Sequence, residues 1–279
     1  MLEHRVGVMQ GRLSARPEHR LQAFPHQTWP EELARAKRLG FSFLEWIYEA
    51  DRAQENPIAS SAGRASIRAC IAASDLPVGS VCGDYFMIHR LAGGSAEQRR
   101  SNAEALSELV RWTREIGASR ILLPLLETSA VDSPELVRDV SESIQRVCPA
   151  LERYDVTLGL EMEIPGEQYA AVIHGIGHPL VGAYYDTGNS TAQGLDIERD
   201  IEPLLPLLKA VHLKDRMAFG TSQPFGQGAA NFPGFFGVLA RAGYRGDFLT
   251  QHYFDAEPEL SAAHSLAFVR NQLRARKAA

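Results

Sequence analysis

The segment Val156 to Asp186, VTLGLEMEIPGEQYAAVIHGIGHPLVGAYYD, decides the fold. It opens on a short apolar run, Val156 to Met162, whose length suits a buried strand. Glu167 to about Ile176 follows as a short helix, and Leu180 to Tyr185 is a second apolar strand. A strand, a helix and a strand in succession make the crossover unit of a parallel sheet.

The alternation continues in both directions. Toward the carboxyl end come a helix around Ile201 to Leu208, interrupted by Pro203 and Pro206, and a strand at Ala210 to Leu213. A helix at Asn231 to Ala242, a strand at Gly246 to Gln251 and a helix at Pro258 to Arg276 complete that side. Toward the amino end, helices are expected at Pro134 to Tyr154, Glu97 to Ile116, Ala62 to Ser74 and from Pro30 to a stop at Gly40. The strands between them are Arg120 to Leu126, Pro77 to Cys82, Phe41 to Ile47 and Arg5 to Gln10, the last followed by a long loop. Eight strands alternating with eight helices predict an α/β chain closed into a (β/α)8 TIM barrel, a single domain over residues 1–279. An open doubly wound sheet often carries a glycine-rich phosphate turn after its first strand, and this chain has none there.

The composition, 45% hydrophobic and 23% charged, is that of a globular protein, and the net charge of −5 supplies no basic footprint for nucleic acid. Met1 to Arg5 is too polar for a secretory signal and no apolar run reaches membrane-spanning length, so a cytoplasmic protein without membrane partners is expected. Cys70, Cys82 and Cys148 are too few and too scattered for a disulfide framework or a zinc cluster.

In a barrel of this kind the carboxyl ends of the strands converge on one mouth, where the chemistry is placed. Here those ends are Gln10, Glu45, Asp84, Glu127, Glu161, Asp186, His212 and Gln251, all polar. Several carboxylates sharing one cavity repel one another unless cations or protons intervene. Glu161, Asp186 and His212 belong to consecutive strands, and with Gln251 they form a contiguous arc of donors suited to a divalent cation such as Mg, Mn, Co or Zn. Glu163 shares a strand face with Glu161, so periodicity does not separate the two. Lys214 and Arg216 lie just beyond His212, where they could neutralise a substrate phosphate or carboxylate or pair with a nearby acid, and Arg12 is a similar case. His174 and His178 have helical ligand spacing, but Gly175 and Gly177 argue for a turn.

The segments Gly7 to Ser14 (GVMQGRLS), Ser80 to Met87 (SVCGDYFM), YDTGNST at 185–191, HLKDR at 212–216 and Gly226-Gln227-Gly228 resemble the sugar phosphate isomerase/epimerase group of xylose isomerase-like TIM barrels. The resemblance runs from residue 5 to about residue 255. It implies one divalent cation held at Glu161, Asp186, His212 and Gln251. It also implies Glu161 as the base that removes a proton beside a carbonyl, with Gln10, Arg12, Asp84, Glu127, Glu167, Lys214 and Arg216 around a small sugar, keto-polyol or sugar phosphate. A homo-oligomer is compatible with it. The family's second catalytic glutamate is replaced by Gln251, whose amide cannot act as acid or base at neutral pH. His252, Asp84, Glu127 or a metal-bound water then becomes the second proton carrier, or a single base works on one face. Rival readings on the same scaffold are a keto-polyol dehydratase, an abasic-site endonuclease and a non-catalytic metal- and sugar-binding protein. The endonuclease is disfavoured by the acidity of the chain and the scarcity of histidine at the strand ends.

Overall fold

In the computed structural model, which describes residues 4–15, 22–254 and 256–275, the elements begin with β1 (Val6–Met9), α1 (Trp29–Leu39), β2 (Phe43–Ile47), α2 (Ser61–Ser74), β3 (Val78–Cys82) and α3 (Tyr85–Ile88). They continue with α4 (Ala96–Glu115), β4 (Arg120–Leu125), α5 (Pro134–Tyr154), β5 (Thr157–Met162), α6 (Gly166–Ile176), β6 (Val181–Asp186), α7 (Thr187–Ala192) and α8 (Ile197–Asp200). The chain then passes through β7 (Leu208–Leu213), the short pair β8 (Asp215–Arg216) and β9 (Ser222–Gln223), α9 (Phe232–Arg241), β10 (Asp247–Thr250) and α10 (Pro258–Ala275). Eight of the strands close a barrel in the order β1-β10-β7-β6-β5-β4-β3-β2, every neighbouring pair parallel. This is the expected TIM barrel. Its strands are buried almost throughout because one face meets the interior and the other meets the helices, which is why they read as apolar runs.

Local signals account for the helix ends. The Ser95 hydroxyl accepts from the Gln98 amide while Gln98 returns the bond, closing a capping box on α4. Ser133 caps α5 ahead of Pro134, which needs no amide partner in a first turn. Two local expectations change, and two elements appear that the apolar pattern does not carry. The glycine- and asparagine-rich run after Asp186 folds as α7, because the Asp186 carboxylate accepts from the Asn189 amide at 2.9 Å and caps it. The proline-interrupted stretch Glu202–Leu207 is a 3-10 helix. Residues after His212 form the β8–β9 hairpin, which no periodicity announced. Gly175 lies inside α6, and the chain turns only at Gly177. The expected helix end at Arg276 and part of the loop after β1, including Pro17, lie outside the described residues.

The barrel interior is polar at its floor. Arg120 of β4, 7% exposed, donates to Asp247 of β10 at 2.5 Å and to the Lys209 carbonyl at 2.7 Å, and Arg5 holds the same carboxylate from outside at 2.6 Å. Above it Tyr184 fills the centre, and Gly159 makes room for it: a Cβ there would lie 2.7 Å from the tyrosine ring. The loop after β1 is tied to α1 by Glu32, a buried carboxylate that accepts from the amides of Gly11 (2.9 Å) and Leu13 (3.3 Å) and from the Ser14 hydroxyl (2.8 Å). Burial nevertheless pushes the Glu32 carboxyl up to about 7, with the three donors only partly offsetting the effect.

Two stability measurements test this account. Arg120→Ala leaves Asp247 with one partner in a dry setting and is expected to cost on the order of 2–3 kcal/mol, read as a lower urea midpoint at unchanged slope. Glu32 holds its proton more tightly in the folded chain than at its ordinary value of 4.5. Its contribution is therefore complete below about pH 4.5 and disappears as the pH rises through about 7, on the order of 3 kcal/mol in all. Glu32→Gln should flatten that part of the stability profile, and an unchanged pH slope would show that Glu32 is ionised throughout.

Candidate metal centre

Three consecutive barrel strands, β5, β6 and β7, deliver Glu161, Asp186 and His212 to the mouth, and Asp186 and His212 are register partners. All three are buried, and one ligand atom from each lies within 4.8 Å of the others. Each is held from one side. Asp186 Oδ1 accepts from the Asn189 amide, the Asn189 side-chain nitrogen donates to Glu161 Oε1 at 2.9 Å, and His212 Nε2 lies 2.6 Å from Glu45 Oε1. The opposite atoms, Asp186 Oδ2 and His212 Nδ1, are 3.8 Å apart, buried and without a hydrogen bond. An unpartnered imidazole nitrogen and a carboxylate oxygen paired only with the Lys214 ammonium, beside a second carboxylate, fit a divalent cation such as Mn, Mg, Co or Zn.

The electrostatics agree with that fit. Burial, and after it the neighbouring Asp186 charge, raises the Glu161 carboxyl above its usual range. Against its own burial, Asp186 is held below the usual range by Lys214 and His212, and His212 is raised by Glu45. A cation between the two carboxylates relieves the repulsion that Glu161 carries.

Lys214 points inward, its Nζ 3.2 Å from Asp186 Oδ2 and 3.5 Å from Asn189 Oδ1. Thr187 fixes its backbone, donating to the Lys214 carbonyl and accepting from the Lys214 amide. The nearby acid it meets is thus Asp186. Arg216 donates twice to the Gly220 carbonyl and shapes the hairpin. Asp215 accepts from the amides of Gly226, Gly228 and Ala230 and organises the Gly-Gln-Gly loop, where a Cβ on residue 228 would meet that carboxylate at 2.1 Å.

The remaining strand-end residues divide. Gln251 follows β10 and its amide donates to Gln22 at 2.7 Å; Gln22 donates in turn to Asp84 at 2.5 Å, which also accepts from the Cys82 thiol. Gln251 is thereby linked to Asp84, whose carboxyl burial raises. Gln10 is buried and accepts from the Ile47 amide, and Arg12 donates to the His252 carbonyl and stacks over Phe254. Glu127 and Glu167 are exposed, the first in a 3-10 turn after β4 and the second in the first turn of α6. Glu163 is exposed as well, which separates it from Glu161. Burial and Arg12 hold the His252 imidazole down to about 3, so it is no proton donor near neutral pH. His178 lies 3.2 Å from Glu152 and accepts from the Leu180 amide.

Sequence reasoning passed over two residues of the centre. Asn189, given no role of its own in the sequence, orients Glu161. Glu45, placed among the mouth residues, lies inside the barrel at 0% exposure beneath His212. A carboxylate alternating with apolar residues in a buried strand was the available signal, and the spacing of three between Asp186 and Asn189 was the other.

Known proteins with this architecture include sugar epimerases. The chain is 24% identical over 260 residues to an L-ribulose-5-phosphate 3-epimerase of Salmonella paratyphi C, covering 90% of this chain and 91% of that protein. A solved L-ribulose 3-epimerase superposes with a TM-score of 0.78 at 17% identity, over 99% of this chain and 96% of its own. A xylose isomerase-like TIM barrel protein of Mycobacterium smegmatis in complex with magnesium superposes at 0.73 and 19% identity, over 98% and 97%. The family model for the xylose isomerase-like TIM barrel matches residues 33–272, and the chain belongs to that family.

Proposed function

We propose that this protein is a divalent-metal-dependent isomerase or epimerase of a small sugar, keto-polyol or sugar phosphate, working at the centre formed by Glu161, Asp186 and His212. The observation that carries this reading is the buried cluster of those three groups, in which His212 Nδ1 has no hydrogen-bond partner and Asp186 Oδ2 is met by the Lys214 ammonium. The names of the epimerase relatives and the magnesium held by a structural neighbour support it.

When bound, the cation polarises the substrate carbonyl and acidifies the adjacent C–H. Glu161, oriented by Asn189, accepts that proton as general base. Glu161, Asp186 and His212 would hold the ion, and Gln251 would be its uncharged fourth ligand. Lys214 and Asp84 bind substrate oxygens at the mouth, and Gln10, Arg12 and Arg216 support the loops around it. Returning the proton to the neighbouring carbon on the same face needs no second carbon base and, with the hydroxyl proton passed between the two oxygens of the enediol, gives isomerisation. Inverting a stereocentre needs a carrier on the other face; with Gln251 unable to serve, Asp84, joined to it through Gln22, takes that role.

Titration of the metal-stripped protein with Mn2+ should show one site, and Asp186→Ala should weaken it by about hundredfold with the fold retained. Unchanged affinity would refute the ligand assignment. In deuterated water, conversion of a ketose or ketose phosphate should place solvent deuterium on the carbon beside the carbonyl, and Glu161→Gln should slow this by about 10²–10⁴. Epimerisation without deuterium uptake would exclude proton return by a second carrier on the other face.

A further inference from the structure

We propose that Glu45 is a positioning residue for the metal centre: from inside the barrel it fixes the tautomer and ring orientation of His212, so that Nδ1 presents its lone pair to the cation. This rests on the metal reading above and deepens it.

The geometry is specific. Glu45 Oε1 lies 2.6 Å from His212 Nε2, and Glu45 Oε2 accepts from the Ser80 and Tyr184 hydroxyls, each at 2.6 Å. A neutral imidazole carries its proton on either nitrogen, and the partner of one decides the fate of the other. With Oε1 as an acceptor, Nε2 carries the hydrogen. Nδ1, buried and without a partner, is then the bare nitrogen on the side of Asp186 and Glu161.

Glu45 is itself immobilised. Ser80 is its register partner on β3, and Tyr184 comes from β6, two positions before Asp186 on the same strand face. The Tyr184 ring stands edge-on to His212 with centroids 4.9 Å apart, so one side chain packs the imidazole and hydrogen-bonds the group that orients it. The Arg120 guanidinium lies 5.9 Å from the same ring, which connects this support to the floor of the barrel. A hydrogen bond between strands that are not neighbours in the barrel, protected from water, holds an imidazole far more firmly than a surface contact does.

The test uses Zn2+, which is diamagnetic, with calorimetry for affinity and imidazole 15N NMR for the tautomer. In the zinc-loaded wild type, metal on Nδ1 and hydrogen on Nε2 of His212 are expected; zinc on Nε2 overturns the proposal without any variant. In Glu45→Gln the amide can turn either its oxygen or its nitrogen toward His212, so mixed tautomers and a loss of zinc affinity of about 10–100-fold are expected. In a His212→Ala background the same substitution should cost nothing further. An unchanged affinity in Glu45→Gln, or an equal loss in both backgrounds, assigns Glu45 a purely structural role. Wild-type protein that binds no zinc, manganese or cobalt is a different result, since it removes the metal centre itself.

Discussion

A single hydrogen bond through the barrel interior, from His212 of β7 to Glu45 of β2, organises this molecule. The two residues are 167 positions apart in the chain and their strands are not neighbours in the barrel, so the contact exists only once the sheet has closed. Burying a carboxylate costs several kcal/mol unless its oxygens are satisfied. Glu45 is satisfied by three donors from three other strands. The same bond turns the free side of the imidazole toward the mouth, where two carboxylates wait.

The interior above and below that bond follows the same rule. At the floor, Asp247 is shared between Arg120 and Arg5, and Arg120 also reaches a backbone carbonyl. At the mouth, Asp186 faces Lys214 and His212, and Asn189 spans the gap to Glu161. Beside Asp186 Oδ2, which is ion-paired with Lys214, His212 Nδ1 has no hydrogen bond, and a cation between them could serve both.

Around this core, loops are held by carboxylates rather than by apolar packing alone. Glu32 gathers the turn after β1, and Asp215 gathers the amides of the Gly-Gln-Gly loop. Both act as acceptors for backbone donors that would otherwise be unpaired near the mouth. The loops near the barrel mouth are thus fixed to the scaffold by the residues that precede or follow them.

The alternation of apolar runs and helices was legible in the chain, down to α5, whose expected and observed limits are both Pro134 and Tyr154. So were Glu161, Asp186 and His212, because a polar residue ending an apolar strand is a local pattern. Such patterns depend on periodicity and capping over a few residues, which sequence carries directly. Closure of the barrel decided the rest. It sent Glu45 beneath His212 instead of to the mouth, turned Lys214 onto Asp186, left Glu163 in solvent and joined Gln251 to Asp84 through Gln22. Each of these pairs residues whose separation along the chain says nothing about their distance, and only the relative stagger of closed strands brings one side chain opposite another.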